Sequence, residues 1–456
     1  MANQEIYPYG QGGELPYGYP IVNNLASTNA QAALAAPMGR KLAAMTHKNT
    51  IFVAASNASA EDKLAADYQC SGTNDELVIQ QAVNHIYNKG GGTLMLSSGT
   101  FYIDSFPNYE SNDDGGSYTA ILIPSDTSKG YEIRIKGDML PYGYDNGTKI
   151  HVSTSCYESL DSSKKYKIFR SSYTNSLMIN QKKVSLMMSD LFIRLPYNQK
   201  KIMCIDLRYT NRVSLERIAC YGVNKNYASY SASNPPAPAV KDCVGIRMTG
   251  GSNYGIMNDY KNITCVGFYE GFMVGGEHVI GINLGGSWNV YSFTFGNYPW
   301  ADFFLHPITL INCSDERSVN YPLFAYCGYN RDNGSGGQQI SLIDFNLERI
   351  AEFTPGGVLG ELASELVPGT FHGDISYTIH KGAQGVNKQD EKFWKDGHGQ
   401  RFISRNSTHK QACSTTERNT YAANYMQHVW DTTLNKEVIC VDTANKTWKD
   451  TEGNTV

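Results

Sequence analysis

From about residue 130 to residue 380 the chain repeats one pattern: four to six alternating or β-branched residues, a turn rich in Gly, Asn or Asp, then another such run. Examples are "YEIRIKG", "VSLMMSDLFIRL", "VSLERIACYGV", "VGIRMTGG", "YKNITCVGF", "VIGINLGG", "WNVYSFTFG", "ITLINC" and "ISLIDFNLERI". No helical period of any length intervenes between them. Aligned on a β-branched residue, Val184, Val213, Ile263, Val290 and Ile340 recur at 29, 50, 27 and 50 residues (213 − 184, 263 − 213, 290 − 263, 340 − 290), the longer steps reading as two units each. A repeat of about 25–30 residues lies in the solenoid range, and stacked coils need strands only long enough to cross one face. A β-sandwich would bring hairpin turns at more regular and closer intervals.

Upstream of the repeat, "IFVAAS" from Ile51 reads as a strand, "ADYQCSGTNDE" as a loop, and "DELVIQQAVNHIYN" as an amphipathic helix with Leu77, Val78, Ala82 and Ile86 on one side. Thr73 and Glu76 have the spacing of a capping box. Three glycines, Gly90 to Gly92, then stop the helix and hand over to the short runs Leu94–Leu96 and Phe101–Ile103.

The balance of 39 basic and 43 acidic residues, a formal charge of −4, argues against a nucleic-acid surface built on a strong positive field. The first residues, "MANQEIYPYG", lack the basic and apolar regions of a secretory signal, and no apolar run is long enough to cross a membrane, so cytoplasmic synthesis and no membrane insertion are expected. The ten cysteines stand singly and read as buried, reduced thiols.

Three regions follow: a Pro-, Gly- and Tyr-rich arm over 1–48, a solenoid body over 49–380 with its capping helix near 75–88, and a polar C-terminal module over 381–456 ending in a hairpin, "KEVICV" with "KTWKD". Insertions at 104–118, 224–242 and 329–338 ride outside the coils, where binding is usually found.

The stretch "CSGTNDELVIQQAVNHIYNKGGGTLMLSSGTFYI" resembles the opening of pectate-lyase-like right-handed parallel β-helix proteins, with Asp75, Ile79, Gln80 and Ala82, the glycine run, and Gly99-Thr100-Phe101 near that family's pattern. "NNLASTNAQAALAAPMGRKLAAM" resembles degenerate segments of bacteriophage tail and fibre proteins, with Pro37 in place of their acidic residue. "VWDTTLNKEVICVDTANKTWKDTEGNTV" resembles the short C-terminal module of similar proteins, with Cys440 in place of an aromatic one. The resemblance implies an all-β fold, a parallel β-helix, in a tail spike or tail-associated receptor-binding protein of the virion. Such proteins are generally homotrimers, held to a tail or baseplate protein by the arm, that bind and often cut a bacterial surface polysaccharide. A non-catalytic adsorption protein and a free polysaccharide lyase or epimerase are the alternatives.

Coils stack about 4.8 Å apart, so carboxylates one repeat apart approach the separation of a retaining glycosidase pair, about 5–5.5 Å. Asp315 and Glu316 in "NCSDERSVN" stand about one coil from Asp344 and Glu348 (344 − 315 = 29; 348 − 316 = 32). Glu277, among glycines and apolar residues with His278 beside it, is a candidate general acid, because burial raises a carboxyl pKa. Acidic residues at turns are ordinarily solvated or ion-paired, and a buried Glu is ordinarily satisfied by turn backbone. Tyr269, Trp288, Tyr291 and Trp300 beside turns are candidate sugar-stacking rings. The scattered His278, His306, His372 and His380 form no H-x-x-x-H pair, and neither metal nor cofactor is expected. The Asn- and Cys-bearing strand ends (Asn262/Cys265, Asn312/Cys313) read as internal ladders.

Overall fold

A computed structural model describes residues 49–112, 115–125, 131–138, 147–172, 184–210, 212–223, 237–248, 258–295, 305–316, 318, 321–325, 338–348, 360–362, 373–381, 401–404, 411–416, 428–442, 445 and 447–456. The arm expected over 1–48 lies outside them. Two sheets dominate, one of fifteen strands and one of nine among the described residues. The chain alternates between them: Ser185–Arg194 belongs to the long sheet, Ile202–Asp206 to the second, Arg212–Tyr221 to the long sheet, Val244–Met248 to the second, and so on through Gln338–Glu348 and Gly360–Leu362. Apart from Asn108–Glu110, which lies antiparallel to Ser117–Ile123, these strands pair in parallel with their counterparts one coil away. This is a parallel β-helix, and the strand pairing of the long sheet continues to Arg401–Ser404.

The coil lengths correct the repeat read from sequence. Ser214 pairs with Asp259 and Val279 with Ile308, so a coil takes 45 residues in one place (259 − 214) and 29 in another (308 − 279). The step across Val213 and Ile263 is therefore one coil that carries the 224–242 insertion, rather than two units. Val290 lies outside the long sheet, just before Tyr291–Phe295, its N–H donating to the Phe268 carbonyl of the preceding coil.

Strands of the long sheet run to ten or more residues because each is two short strands joined at a corner. Asp190, Arg217, Asn262, Asn283, Asn312 and Asp344 all adopt a left-handed backbone, with φ between 51° and 62°. The flanking pairs Ser189–Glu216, Leu191–Ile218, Lys261–Ile282 and Ile263–Leu284 place these residues in one column. Asn and Asp tolerate this conformation better than other side chains with a Cβ. Their amides also bond along the column: Asn283 Nδ2 donates to Asn262 Oδ1 at 2.9 Å and Asn312 Nδ2 to Asn283 Oδ1 at 2.7 Å. At the one arginine, Nε and Nη2 donate to the two Asp190 oxygens at 2.6 and 3.0 Å. The Asn ladder is thus on the outside of the corner, where an internal one was expected, whereas Cys220 and Cys265, paired on adjacent coils, face the core.

The N-terminal end is sealed by α2 (Asp75–Asn88), the helix read from sequence, after a short α1 (Ala60–Ala65) and a two-residue strand, Tyr68–Gln69, within the segment read as loop. Ile79, Ala82, Val83 and Ile86 enter the core, while Leu77, assigned to that side from sequence, is exposed. The capping box does not form. Asn74 is the N-cap in a left-handed conformation, and the Glu76 carboxylate instead accepts from Asp104 N at 3.1 Å and Ser105 Oγ at 2.6 Å. Asp75 accepts from Gly72 N and Tyr102 N. Two buried carboxylates thereby bind the helix start to the first coil. The glycine run is needed for approach as well as for turning: a Cβ on Gly92 would lie 2.0 Å from the Asn49 carbonyl oxygen.

Inside the body the second sheet contributes two successive inward side chains per strand. Ile168 and Phe169, Cys204 and Ile205, and Ser292 and Phe293 are all fully buried. The rings of Phe272 and Phe293 stack at 5.0 Å. On the neighbouring strand of the same sheet the core narrows, and a Cβ on Gly245 would lie 2.7 Å from Cys265 Sγ of the long sheet. Cys70, Cys156, Cys204, Cys220, Cys243, Cys265, Cys313 and Cys440 are free and buried. One further helix, α3 (Thr154–Ser159), interrupts the strand pattern.

At the C-terminus a separate four-stranded sheet includes the expected hairpin, Lys436–Asp442 with Thr447–Asp450. Its small core is Val429, Val438, Cys440 and Trp448. Asp431 accepts from Thr433 N, Leu434 N and Thr415 Oγ1, and Asp450 from Lys436 Nζ and Asn454 N, so each carboxylate ties a turn to a strand.

Candidate functional site

Beyond the corner column each strand of the long sheet has a short second half whose side chains alternate in and out. In Ser185–Arg194, Leu191 and Ile193 point into the core, leaving Phe192 and Arg194 on the outside; in Arg212–Tyr221, Ile218 and Cys220 point in, leaving Ala219 and Tyr221 outside. Register carries this outward row through seven strands, Tyr102, His151, Arg194, Tyr221, Val266, Ser287 and Glu316 being successive Cα partners, and Glu348 is the backbone partner of Glu316 on the next strand. A second row, two residues earlier, includes Thr100, Lys149, Phe192, Ala219, Thr264, Gly285, Ser314 and Asn346.

The N-terminal half of this face is aromatic and cationic. Tyr102 meets His151 edge-on at 6.3 Å, His151 meets Phe192 at 6.0 Å, and Phe192 meets Tyr221 at 5.1 Å. Tyr102 is 37 % exposed; Lys149, Arg194 and Tyr221 are half-buried. Burial, with Arg194 and Lys149 adding repulsion, pushes the His151 imidazole down to about 4, so it is neutral at physiological pH. The middle of the face is formed by small residues, Ala219, Thr264 and Gly285, with Val266 and Ser287 buried beside them. At the C-terminal end Glu316 follows Ser287, and Glu348 is its Cα partner on the next coil.

The other residues singled out from sequence are dispersed. Asp315 pairs with Leu347, not Asp344, and turns inward: it is fully buried and accepts from Ser318 Oγ at 2.6 Å and from Ser292 Oγ. Burial pushes its carboxyl up to about 6 against those hydrogen bonds. Asp344 is exposed at the corner column. Glu277 pairs with His306 across the long sheet, with the exposed His278 beside it at positive φ. Trp288 is 2 % exposed and packs with Val223 and Val266 at the edge of the row. Tyr269 and Tyr291 meet edge-on at 5.5 Å at the start of the second sheet, with Tyr291 buried. Trp300 lies outside the described residues.

The second sheet carries an ionic row, of which sequence reading named only Glu270, with Asp259, as acidic positions flanking "YKNITCVGFY". Asp206 is buried against Lys167 Nζ at 2.7 Å, Arg208 at 2.9 Å and Arg247 at 3.6 Å, which leaves it saturated with cations. Glu270, buried on the same outward face, accepts from Thr294 Oγ1 at 2.7 Å, and burial pushes its carboxyl up to about 7, the range of a general acid or base. Its signal in the sequence was the i, i+3 pattern shared by Lys167/Arg170, Met203/Asp206, Val244/Arg247 and Glu270/Met273, which marks the outward positions of each strand.

No family model matches this chain, and no curated protein matches it. Solved structures do. The tailspike protein gp49 of the Acinetobacter baumannii bacteriophage Fri1, described as a capsular polysaccharide depolymerase, is 11 % identical with a TM-score of 0.44, covering 78 % of this chain and 57 % of its own. The ORF18 protein of Geobacillus virus E2 is 12 % identical with a TM-score of 0.33, covering 86 % of this chain and 68 % of its own. The A-module of the Azotobacter vinelandii mannuronan C-5 epimerase AlgE4 is 12 % identical with a TM-score of 0.23, covering 72 % of this chain and 94 % of its own. This chain thus spans little more than half the length of the Fri1 tailspike. The β-helix is read from the strand pairing itself, and the outward row from its register. Among the described residues no helix is long and apolar enough to cross a membrane, and no group of three or more potential ligands is placed to hold a metal ion.

Proposed function

We propose that this chain is a bacteriophage tail spike whose outward row binds a bacterial surface polysaccharide during host adsorption. The observation that carries the reading is the row itself: rings, cations, small residues and Glu316, with Glu348 its backbone partner one coil on, follow one another along the helix axis. Rings stack on sugar faces, and strands repeating about every 4.8 Å offer an extended chain the same contact again and again. The resemblance of both chain ends to phage tail and fibre segments fits attachment to the virion as a homotrimer through the 1–48 arm.

The pair placed for cleavage is Glu316 and Glu348, whose backbone spacing suits the carboxylate pair of a retaining glycosidase. A purely adsorptive role is favoured by the inward turn of Asp315, which removes one of the expected acids from the face. Incubating the purified chain with capsular polysaccharides from a panel of hosts separates the two. Oligosaccharide release that Glu316→Gln abolishes supports cleavage, binding of intact polymer supports adsorption, and no binding to any polymer sinks both.

A further inference from the structure

We propose that the Tyr102–Tyr221 end of the row selects a charged polysaccharide, with Arg194 receiving the anionic group of one sugar, a carboxylate or a phosphodiester; this rests on the reading of the face as a polysaccharide site. Arg194 is half-buried, and no acid among the described residues pairs with it. Burial alone lowers its pKa, so desolvation is not offset by a local counter-charge. The nearest acid along the row is Glu316, four strands away, or about 19 Å.

The surroundings add to that positive field. Lys149 lies on the neighbouring strand, two residues before the His151 that pairs with Arg194, and both cations depress the same imidazole. His151 Nε2 is covered and has no hydrogen-bond partner. A half-buried, uncompensated guanidinium is costly in a free protein and is offset when an anion docks, because a charge-assisted, two-pronged hydrogen bond replaces the lost hydration. Tyr102 and Tyr221, on the strands flanking His151 and Arg194, supply ring faces for the sugars on either side of the charged one.

The test is binding of the full chain to immobilised polymers. The panel holds uronate-containing capsular polysaccharides, the same polymers after chemical reduction of their carboxyl groups, phosphodiester-linked polymers, and neutral ones. Wild type, Arg194→Gln, Arg194→Lys and the distant control Lys449→Gln are compared, with thermal midpoints measured alongside. Preferential binding to uronate or phosphodiester polymers is expected. Arg194→Gln should weaken it about tenfold or more, as for one charge-assisted bond, with Arg194→Lys between and the control unchanged. Loss of binding on carboxyl reduction identifies the carboxylate; binding confined to phosphodiester polymers identifies the phosphate. Equal binding to neutral or reduced polymers overturns this inference while leaving the polysaccharide reading intact, and that arm stands even if the Gln variant misfolds. Binding to none of the polymers overturns both.

Discussion

Asn283 holds the corner of its coil at φ 55° and bonds to an Asn on each neighbouring coil. Asn283→Val places a β-branched residue in a conformation it resists and removes both bonds, so a loss of roughly 2–3 kcal/mol is expected in denaturant unfolding. Asn283→Gly keeps the conformation and loses only the ladder, so it should cost less; equal losses would show that the backbone is not the constraint.

Two other residues set opposing pH dependences. The Glu270 carboxyl rises from 4.5 to about 7 on folding, so the native state holds the extra proton; its contribution is complete below pH 4.5 and lost as pH rises through 7. His151 falls from 6.5 to about 4, so its contribution is complete above pH 6.5 and lost as pH falls through 4. Glu270→Gln should therefore remove a decline on the order of 3 kcal/mol between pH 4.5 and 7, read from unfolding at a series of pH values; Asp315 adds its own decline between pH 3.8 and 6, so a total decline undiminished in the variant would show that Glu270 is not buried neutral. At this scale the sequence was half legible. The spacing of Glu316 and Glu348 announced their pairing, but which of Asp315 and Glu316 faces outward depends on the left-handed Asn312, which shifts the in–out phase by one residue.

Among the elements, the clearest misreading was the start of α2. Its S/T-x-x-E spacing is a local signal, yet the Glu76 carboxylate is fully buried against Asp104 and Ser105, partners 28 and 29 residues away that no local motif reveals. Glu76→Ala should therefore cost about 2–3 kcal/mol and lower the thermal midpoint, because it leaves two donors unsatisfied at the sealed end of the core. Thr73→Ala should stay within about 0.5 kcal/mol, since Asn74 and not Thr73 caps the helix. The reverse ranking would restore the capping box. The repeat failed for a related reason. Strand residues are constrained by their neighbours in the stack, whereas insertion length is not, so the β-branched runs were visible and the period was blurred.

At the scale of the whole molecule, the β-helix turns a short, irregular repeat into a straight row of outward positions. Tyr102 and Glu348 are 246 residues apart in sequence (348 − 102) and seven strands apart in space. That is why the architecture was legible and the face was not. Short strands and turn glycines declare stacking, but only register says that Tyr102, Arg194, Tyr221 and Glu316 share a line. Carbene footprinting of the full chain, free and saturated with a polysaccharide it binds, tests that line most directly. Protection of Tyr102, Lys149, Arg194, Tyr221 and Glu316 is expected, with the Ile280–Ile282 face of the same sheet unchanged; protection of the Ile280–Ile282 face with the row unchanged would contradict it.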